Sequence, residues 1–229
     1  MNVEEQQLIN TVFDKIQEVA TESIGGDFIY RGEPEHYERV SSNLWRECRE
    51  EIGKDDFNIV AIQEQMIEVA KDYTHETDEF EIMTELQHFG GHTNLIDFTT
   101  DSHIALFFAC DGFPSEDGRI ILLKRTEGTL VSIKSPRNPQ NRIIAQKSIL
   151  VEPQKGYIDA DQFTEIDIPQ TLKEPMLDYL QNQHGISTQT VYNDLHGFIR
   201  NQGIHKETYI TGYEVKTHKE EDIFKIETS

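Results

Sequence analysis

The sequence predicts an α+β fold, and three observations carry that expectation. Apolar residues recur at helical spacing over long stretches, as at Leu8, Ile9, Val12, Phe13, Ile16, Val19 and Ala20. Between such stretches lie short alternating or wholly apolar runs, at 28–33, 95–99, 119–124 and 142–151, which read as strands. Ile104 to Ala109 is apolar on nearly every side, so it reads as a helix buried at the centre of the domain.

Length and composition bound this fold further. A chain of 229 residues can bury one good-sized core, and 1–229 reads as a single domain: core at about 25–200, N-terminal helix at 3–20, C-terminal extension at 204–229. No apolar run approaches membrane-spanning length, and the first helix opens on acidic residues rather than a basic leader. The expectation is a soluble, cytoplasmic protein with no membrane partner. Cys48 and Cys110 form no CxxC pair and read as buried free thiols.

The formal charge of −21 argues against non-specific wrapping of nucleic acid. One segment departs from it: between Gly118 and Lys147 stand seven cations and a single anion, Glu127. Such a basic island would focus phosphate-bearing ligands onto one surface, with Lys134, Arg137 and Arg142 as contacts for a nucleic acid or other acceptor. The plainer reading is a set of solvated strand ends and a loop.

Taken in order, the first helix ends at Gly25-Gly26, and Phe28 to Glu33 follows as a short strand. Arg31, beside Gly32, can present its planar, permanently charged fork to a phosphate at a cleft mouth, or pair with a local acid. Ser41 or Ser42 caps a helix through Trp45. Ile59, Ile62, Met66, Val69, Ala70 and Tyr73 share one face of a core helix, and Ile82 to Phe89 continues as another. In the centre, Gly90-Gly91 lets the chain turn and present Gln87, His88, His92 and Thr93 around the bend. Leu95 to Thr99 alternates as a strand, and Asp101 or Ser102 caps the apolar helix.

Behind that helix, Arg119 to Lys124 reads as a strand covered on both faces. Arg142 to Val151 is the strongest strand pattern, placing Arg142, Ile144, Gln146, Ser148 and Leu150 on one face. Gln146 is then either satisfied internally or aimed at a ligand. Pro169 to Gln183 reads as a helix with Leu172, Met176, Leu177 and Leu180 inward, and Ser187 caps another carrying Val191, Leu195, Phe198 and Ile199. No P-loop, GxGxxG, HExxH or CxxC motif is present, and Gly90-Gly91 breaks any helix that would pair His88 with His92, so no metal is expected.

Together, Phe28-Ile-Tyr-Arg-Gly-Glu33, Ser42-Asn-Leu-Trp-Arg46, the run Leu86-Gln-His-Phe-Gly-Gly-His-Thr-Asn-Leu-Ile-Asp-Phe-Thr99 and Ile104-Ala-Leu-Phe-Phe-Ala109 resemble the FRG domain family. Arg142-Ile-Ile-Ala-Gln146 and the stretch 184–197 fit it too, so the resemblance spans roughly 25–200. More distantly, the layout resembles ADP-ribosyltransferases: an arginine ending an early strand, a Ser/Thr-bearing strand entering an apolar helix, and a glutamate-bearing strand behind a substrate loop, places taken here by Arg31, Thr99-Thr100 and Gln146. That resemblance implies an ADP-ribosyltransferase-like split two-sheet core with flanking helices, NAD as substrate without a metal, and ADP-ribosyltransferase or NAD glycohydrolase activity. It also implies a nucleic-acid or protein acceptor, a bacterial or phage toxin or antiviral-defence setting, and a neutralising partner.

On that resemblance Arg31, Gln146 and His88 form the catalytic set, with Arg31, Gln87, His92, Thr93, Asp97 and Thr99 around the dinucleotide. Gln146 departs from the glutamate of the pattern, because an amide can bond a ribose hydroxyl but brings no charge. Asp97 or Glu33 would then supply the acid. Without chemistry, the alternative is a nucleotide- or nucleic-acid-binding module. On residue type alone Asp97 also reads as a buried structural acceptor, and Gln87 and Thr93 as turn-fixing groups.

Overall fold

The computed structural model describes residues 2–22, 28–125, 131–134 and 145–193. Helix α1 (Val3–Glu22) precedes strand β1 (Phe28–Glu33), the short β2 (Val40–Ser41) and helices α2 (Asn43–Ile52), α3 (Ile59–Ala70) and α4 (Glu79–His88). Strand β3 (Ile96–Thr99) leads into α5 (Ser102–Cys110), followed by β4 (Gly118–Lys124), β5 (Val131–Lys134), β6 (Ser148–Pro153) and β7 (Tyr157–Ile158). Strand β8 (Phe163–Ile168), α6 (Gln170–His184) and α7 (Thr188–Val191) complete the described chain.

The fold is α+β. Six strands pair antiparallel in the order β5-β6-β3-β1-β4-β8, and β2 pairs with β7 in a separate small sheet. Both faces of the large sheet are covered, and alternation along β4 shows how. Ile120 and Leu122 join α1, α5 and α6 in the main core, while Ile121 and Leu123 turn the other way, onto a cluster that includes Val40 and Ile158 of the small sheet.

Helix α5 occupies the centre as its composition requires. Ile104, Ala105, Leu106, Phe107, Ala109 and Cys110 are buried, Asp101 caps the helix by accepting the His103 N–H, and burial pushes the Cys110 thiol up to about 12. Its close seat on the sheet needs glycine in β1 and β4. A Cβ on Gly32 would lie 1.8 Å from the Ala105 carbonyl oxygen, and one on Gly118 would lie 2.1 Å from that of Ala109.

The sheet has one seam. Strands β1 and β4 are in register over six residues, and β3 and β6 over four, yet β1 and β3 meet only at Tyr30 opposite Thr99. Past that pair no further β1–β3 pair forms, and Arg31 and Gly32 on one side and Asp97 and Phe98 on the other line a cavity. The structure thus has one large sheet with a seam and one small, two-stranded sheet.

Three expectations are corrected. The face of α3 is rotated: Ile59, Gln63 and Ile67 are buried, whereas Val69 and Tyr73 are exposed. Gln63 is the reason, since its carbonyl accepts the buried Asn94 N–H and its amide donates to Glu152, fixing the inward face by hydrogen bonding. Strand β6 begins at Ser148; of the longer strand expected here, Ala145 and Gln146 are helical and Lys147 has φ 47°. Gln146 therefore sits on the turn that enters the strand, and the period-two pattern expected over 142–151 does not hold at 145–147. Arg142 and Arg137 lie outside the described residues. Arg119, finally, leaves the basic island altogether, being 7% exposed and paired inside the protein with Glu33 and Glu165.

Candidate functional site

Where β1 and β3 separate, a cavity of about 460 Å³ opens, within the range of small-molecule sites, roughly 300–1,000 Å³. Its walls come from β1 and the residues after it, the end of α4, β3, the C-terminal end of α5, and the turn into β6. Of the residues singled out in the sequence, Arg31, Gln87, His88, Asp97, Thr99 and Gln146 line it.

Arg31 is fixed before any ligand arrives. Its Nε donates to Glu33 Oε1 at 2.9 Å, and its Nη1 donates to the backbone carbonyl of Asp97 at 3.0 Å, bridging the seam where ladder bonds are missing. Nη2 has no hydrogen bond among the described residues, so the outer edge of the guanidinium is available to an anion. Glu33 is 1% exposed and its other oxygen accepts from Arg119 Nε and Nη2, at 2.9 and 2.7 Å. With both oxygens engaged and no place in the cavity lining, Glu33 orients Arg31 and is removed as a candidate acid.

Asp97 is exposed to the cavity rather than buried, correcting the structural-acceptor reading. Isolated between Ile96 and Phe98, it turns to the opposite side of the strand from those two buried residues. A short relay holds its carboxylate: the Thr93 hydroxyl donates to Gln87 Oε1 at 2.9 Å, and Gln87 Nε2 donates to Asp97 Oδ2 at 2.7 Å. Thr93 is buried and does not line the cavity, so it positions Gln87 rather than touching a ligand. His92 is also absent from the lining; its Nδ1 pairs with Glu47 on the surface. The Gly90 turn, at φ 87°, bends the chain as expected but carries His92 outward.

Gln146 faces the cavity from the turn. Its Nε2 donates to the Val191 carbonyl at 3.2 Å, which fixes the amide and leaves Oε1 as an acceptor without a partner among the described residues. The turn itself is pinned by Lys147, whose Nζ lies 2.7 Å from Asp101 Oδ2 and whose carbonyl accepts the Thr100 N–H. Hydrogen bonding from His103, together with Lys147, holds the Asp101 carboxyl well below the usual carboxylate range. Thr99 lines the cavity while its hydroxyl oxygen accepts the Asp101 N–H, and Ser148 stands opposite it in the β3–β6 register.

Several lining residues were not among the sequence candidates. Tyr37, Phe108, Asp111, Phe113, Ser148 and Tyr192 add an aromatic wall and a second carboxylate, and the Tyr192 hydroxyl donates to Asp111 Oδ2 at 2.9 Å. Tyr30 lines the cavity as well as packing on the core. Burial, and then neighbouring acids, raise the Tyr30 and Tyr37 phenols, so both stay protonated at neutral pH. Asp111, at the end of an apolar helix, carried the one signal that could have been used: a charge where the burial pattern stops. Phe89, by contrast, is exposed.

Lys134 ends β5, opposite Leu150 of β6. Among the described residues no cluster of His, Cys, Asp and Glu could hold a metal, and no helix is long and apolar enough to cross a membrane.

The site therefore combines one oriented cation, two carboxylates, an amide acceptor, hydroxyls and aromatic faces in an α+β framework. The FRG domain family model matches residues 26–117 and supports that family for the segment bearing β1, the α4–β3 turn and α5. The match covers less than half of the chain and ends before Gln146. No curated protein and no solved structure matches the chain.

Proposed function

We propose that the cavity binds NAD and that the protein is an ADP-ribosyltransferase or NAD glycohydrolase. The observation that carries this reading is the Arg31 guanidinium, held across the seam by Glu33 and the Asp97 carbonyl, with Gln146 in the same cavity. Cleaving the nicotinamide glycosidic bond requires a grip on the pyrophosphate, oriented ribose hydroxyls and a countercharge for an oxocarbenium-like transition state. Arg31 suits the first. The Gln146 carbonyl oxygen and the Thr99 and Ser148 hydroxyls suit the second.

Asp97 suits the third, and it replaces the glutamate that Gln146 is not. As the C1′–N bond breaks, its electron pair leaves with nicotinamide. Water or an acceptor hydroxyl forms the new bond to C1′, and its proton passes to the Asp97 carboxylate held by Gln87. Consuming NAD in this way fits a toxin or defence effector, with a nucleic acid or protein as acceptor.

Incubating the protein with NAD and following free nicotinamide tests the proposal. Release by the wild type, lowered at least about tenfold in Arg31→Ala and in Asp97→Asn, is the expected result. Absence of release in all three would retire the enzyme. A second reading, a nucleotide-sensing module, draws on the uncharged, internally tied Gln146 and on Glu33 being fully engaged with two arginines. It predicts saturable binding of NAD without product.

A further inference from the structure

Helix α6 lies behind the cavity, and the sequence marks it only as a packing helix. One of its inward residues is nevertheless a lysine. Lys173 is 3% exposed, and its Nζ donates to three backbone carbonyls: Pro34 at 2.6 Å, Gly112 at 3.1 Å and Phe113 at 2.9 Å. All three of those residues line the cavity, yet they come from two separate loops, one after β1 and one between α5 and β4.

We propose that Lys173 is a positioning residue that clamps these two loops into one rigid wall of the ligand cavity. The inference rests on the cavity being the working site. A buried ammonium is costly to desolvate, and here its hydrogen-bond partners are all neutral carbonyls instead of a compensating carboxylate. Burial accordingly pulls the Lys173 ammonium below its usual range, opposed by Cys110, Asp117, Glu116 and Glu35. A core position filled by methionine or leucine would avoid that cost, but it would leave the carbonyls of Pro34, Gly112 and Phe113 without this donor.

The backbone gives a second, independent reason. Phe113 has φ 43° and Gly112 has φ 118°. A bulky residue at positive φ is strained and persists only where its surroundings over-determine it. Lys173 holds the carbonyls of both residues, and Asp117 Oδ1 accepts the Gln170 N–H at 2.8 Å, so α6 grips the α5–β4 loop at both ends. The same ammonium ties that loop to Pro34, the residue immediately after the strand that carries Arg31 and Glu33. The wall and the anion-binding edge are thereby fixed relative to each other.

Hydrogen–deuterium exchange on the ligand-free full chain tests the clamp in wild type, Lys173→Met and Lys173→Arg. Methionine removes the donors. Arginine keeps charge and bulk, but its planar fork cannot converge on three carbonyls as an ammonium does. The clamp predicts exchange accelerated about tenfold or more over 111–116, led by the Glu116 amide that donates to the Phe113 carbonyl, with β4 and β8 as in wild type. It also predicts ADP-ribose binding weakened about fivefold in folded Lys173→Arg, measured below its own urea transition.

Should Lys173→Met fail to fold, Lys173→Arg decides. Wild-type exchange over 111–116 in the folded variants, or acceleration spread evenly into β4 and β8, would overturn the clamp. Because exchange is read without ligand, failure of ADP-ribose to bind the wild type counts against the nucleotide assignment instead.

Discussion

Two arginine clusters in this protein use the same chemistry in different surroundings. Beneath the cavity, Arg31, Glu33, Arg119 and Glu165 form a chain of charge-assisted bonds around a carboxylate that is 1% exposed. On the surface, Arg39 and Arg49 share Asp55, Arg49 also reaches Glu38, and the two guanidinium groups lie over the Tyr157 and Trp45 rings. In the first set Glu33 and Arg119 are shielded from water and hold each other, with Arg31 and the half-exposed Glu165 at the two ends. The second is screened and redundant. Only the buried set ends in a guanidinium edge aimed at a cavity, so preorganisation for binding is confined to it.

The sharpest way to break that contrast is Glu33→Gln. It leaves the buried Arg119 and the oriented Arg31 facing a neutral amide, and removing one partner of a buried pair costs about 3–5 kcal/mol, read as a lowered urea midpoint. A loss as small as that of a surface variant would mean that the buried chain is not interdependent.

A smaller effect belongs to Asp101. Its folded carboxyl is held low, so its stabilisation is present above the ordinary aspartate range and is lost as pH falls through and below that range. Asp101→Asn keeps an N-cap for α5 but removes the charge that pairs with Lys147. The variant is expected to start less stable at pH 7 and to lose less than wild type between about pH 5 and pH 2, as followed by urea midpoints. Parallel acid profiles would contradict this.

Smallest is Arg49→Ala. With its partners in water, the urea midpoint should stay within measurement scatter, and any shift should vanish in high salt.

Much of the fold was legible because burial leaves a period. Helix α5 was visible as an all-apolar run, β4 as a strand covered on both faces, and Asp101 as a cap. Legibility failed where polar groups were doing the packing. Gln63, Arg119 and Lys173 are all buried, and each is placed by hydrogen bonds or ion pairs to distant residues that no local pattern encodes.

The candidate site shows the same division. Arg31, Asp97 and Gln146 stood out as charged or amide groups beside apolar runs. Their orientation was not readable, because it comes from Glu33, Gln87 and the Val191 carbonyl acting across the chain. His92 and Thr93 misled for the converse reason: past the Gly90 turn His92 pairs with Glu47 on the surface, and Thr93 stays beside Gln87 but is buried behind it instead of facing the cavity.

The measurement that bears most directly on the whole account is a calorimetric titration of NAD into wild type and Arg31→Ala. The account predicts saturable one-site binding by the wild type and an affinity at least about tenfold lower in the variant, the loss of one charge-assisted contact to phosphate. Equal affinity in the two proteins, or no binding to either, would contradict it.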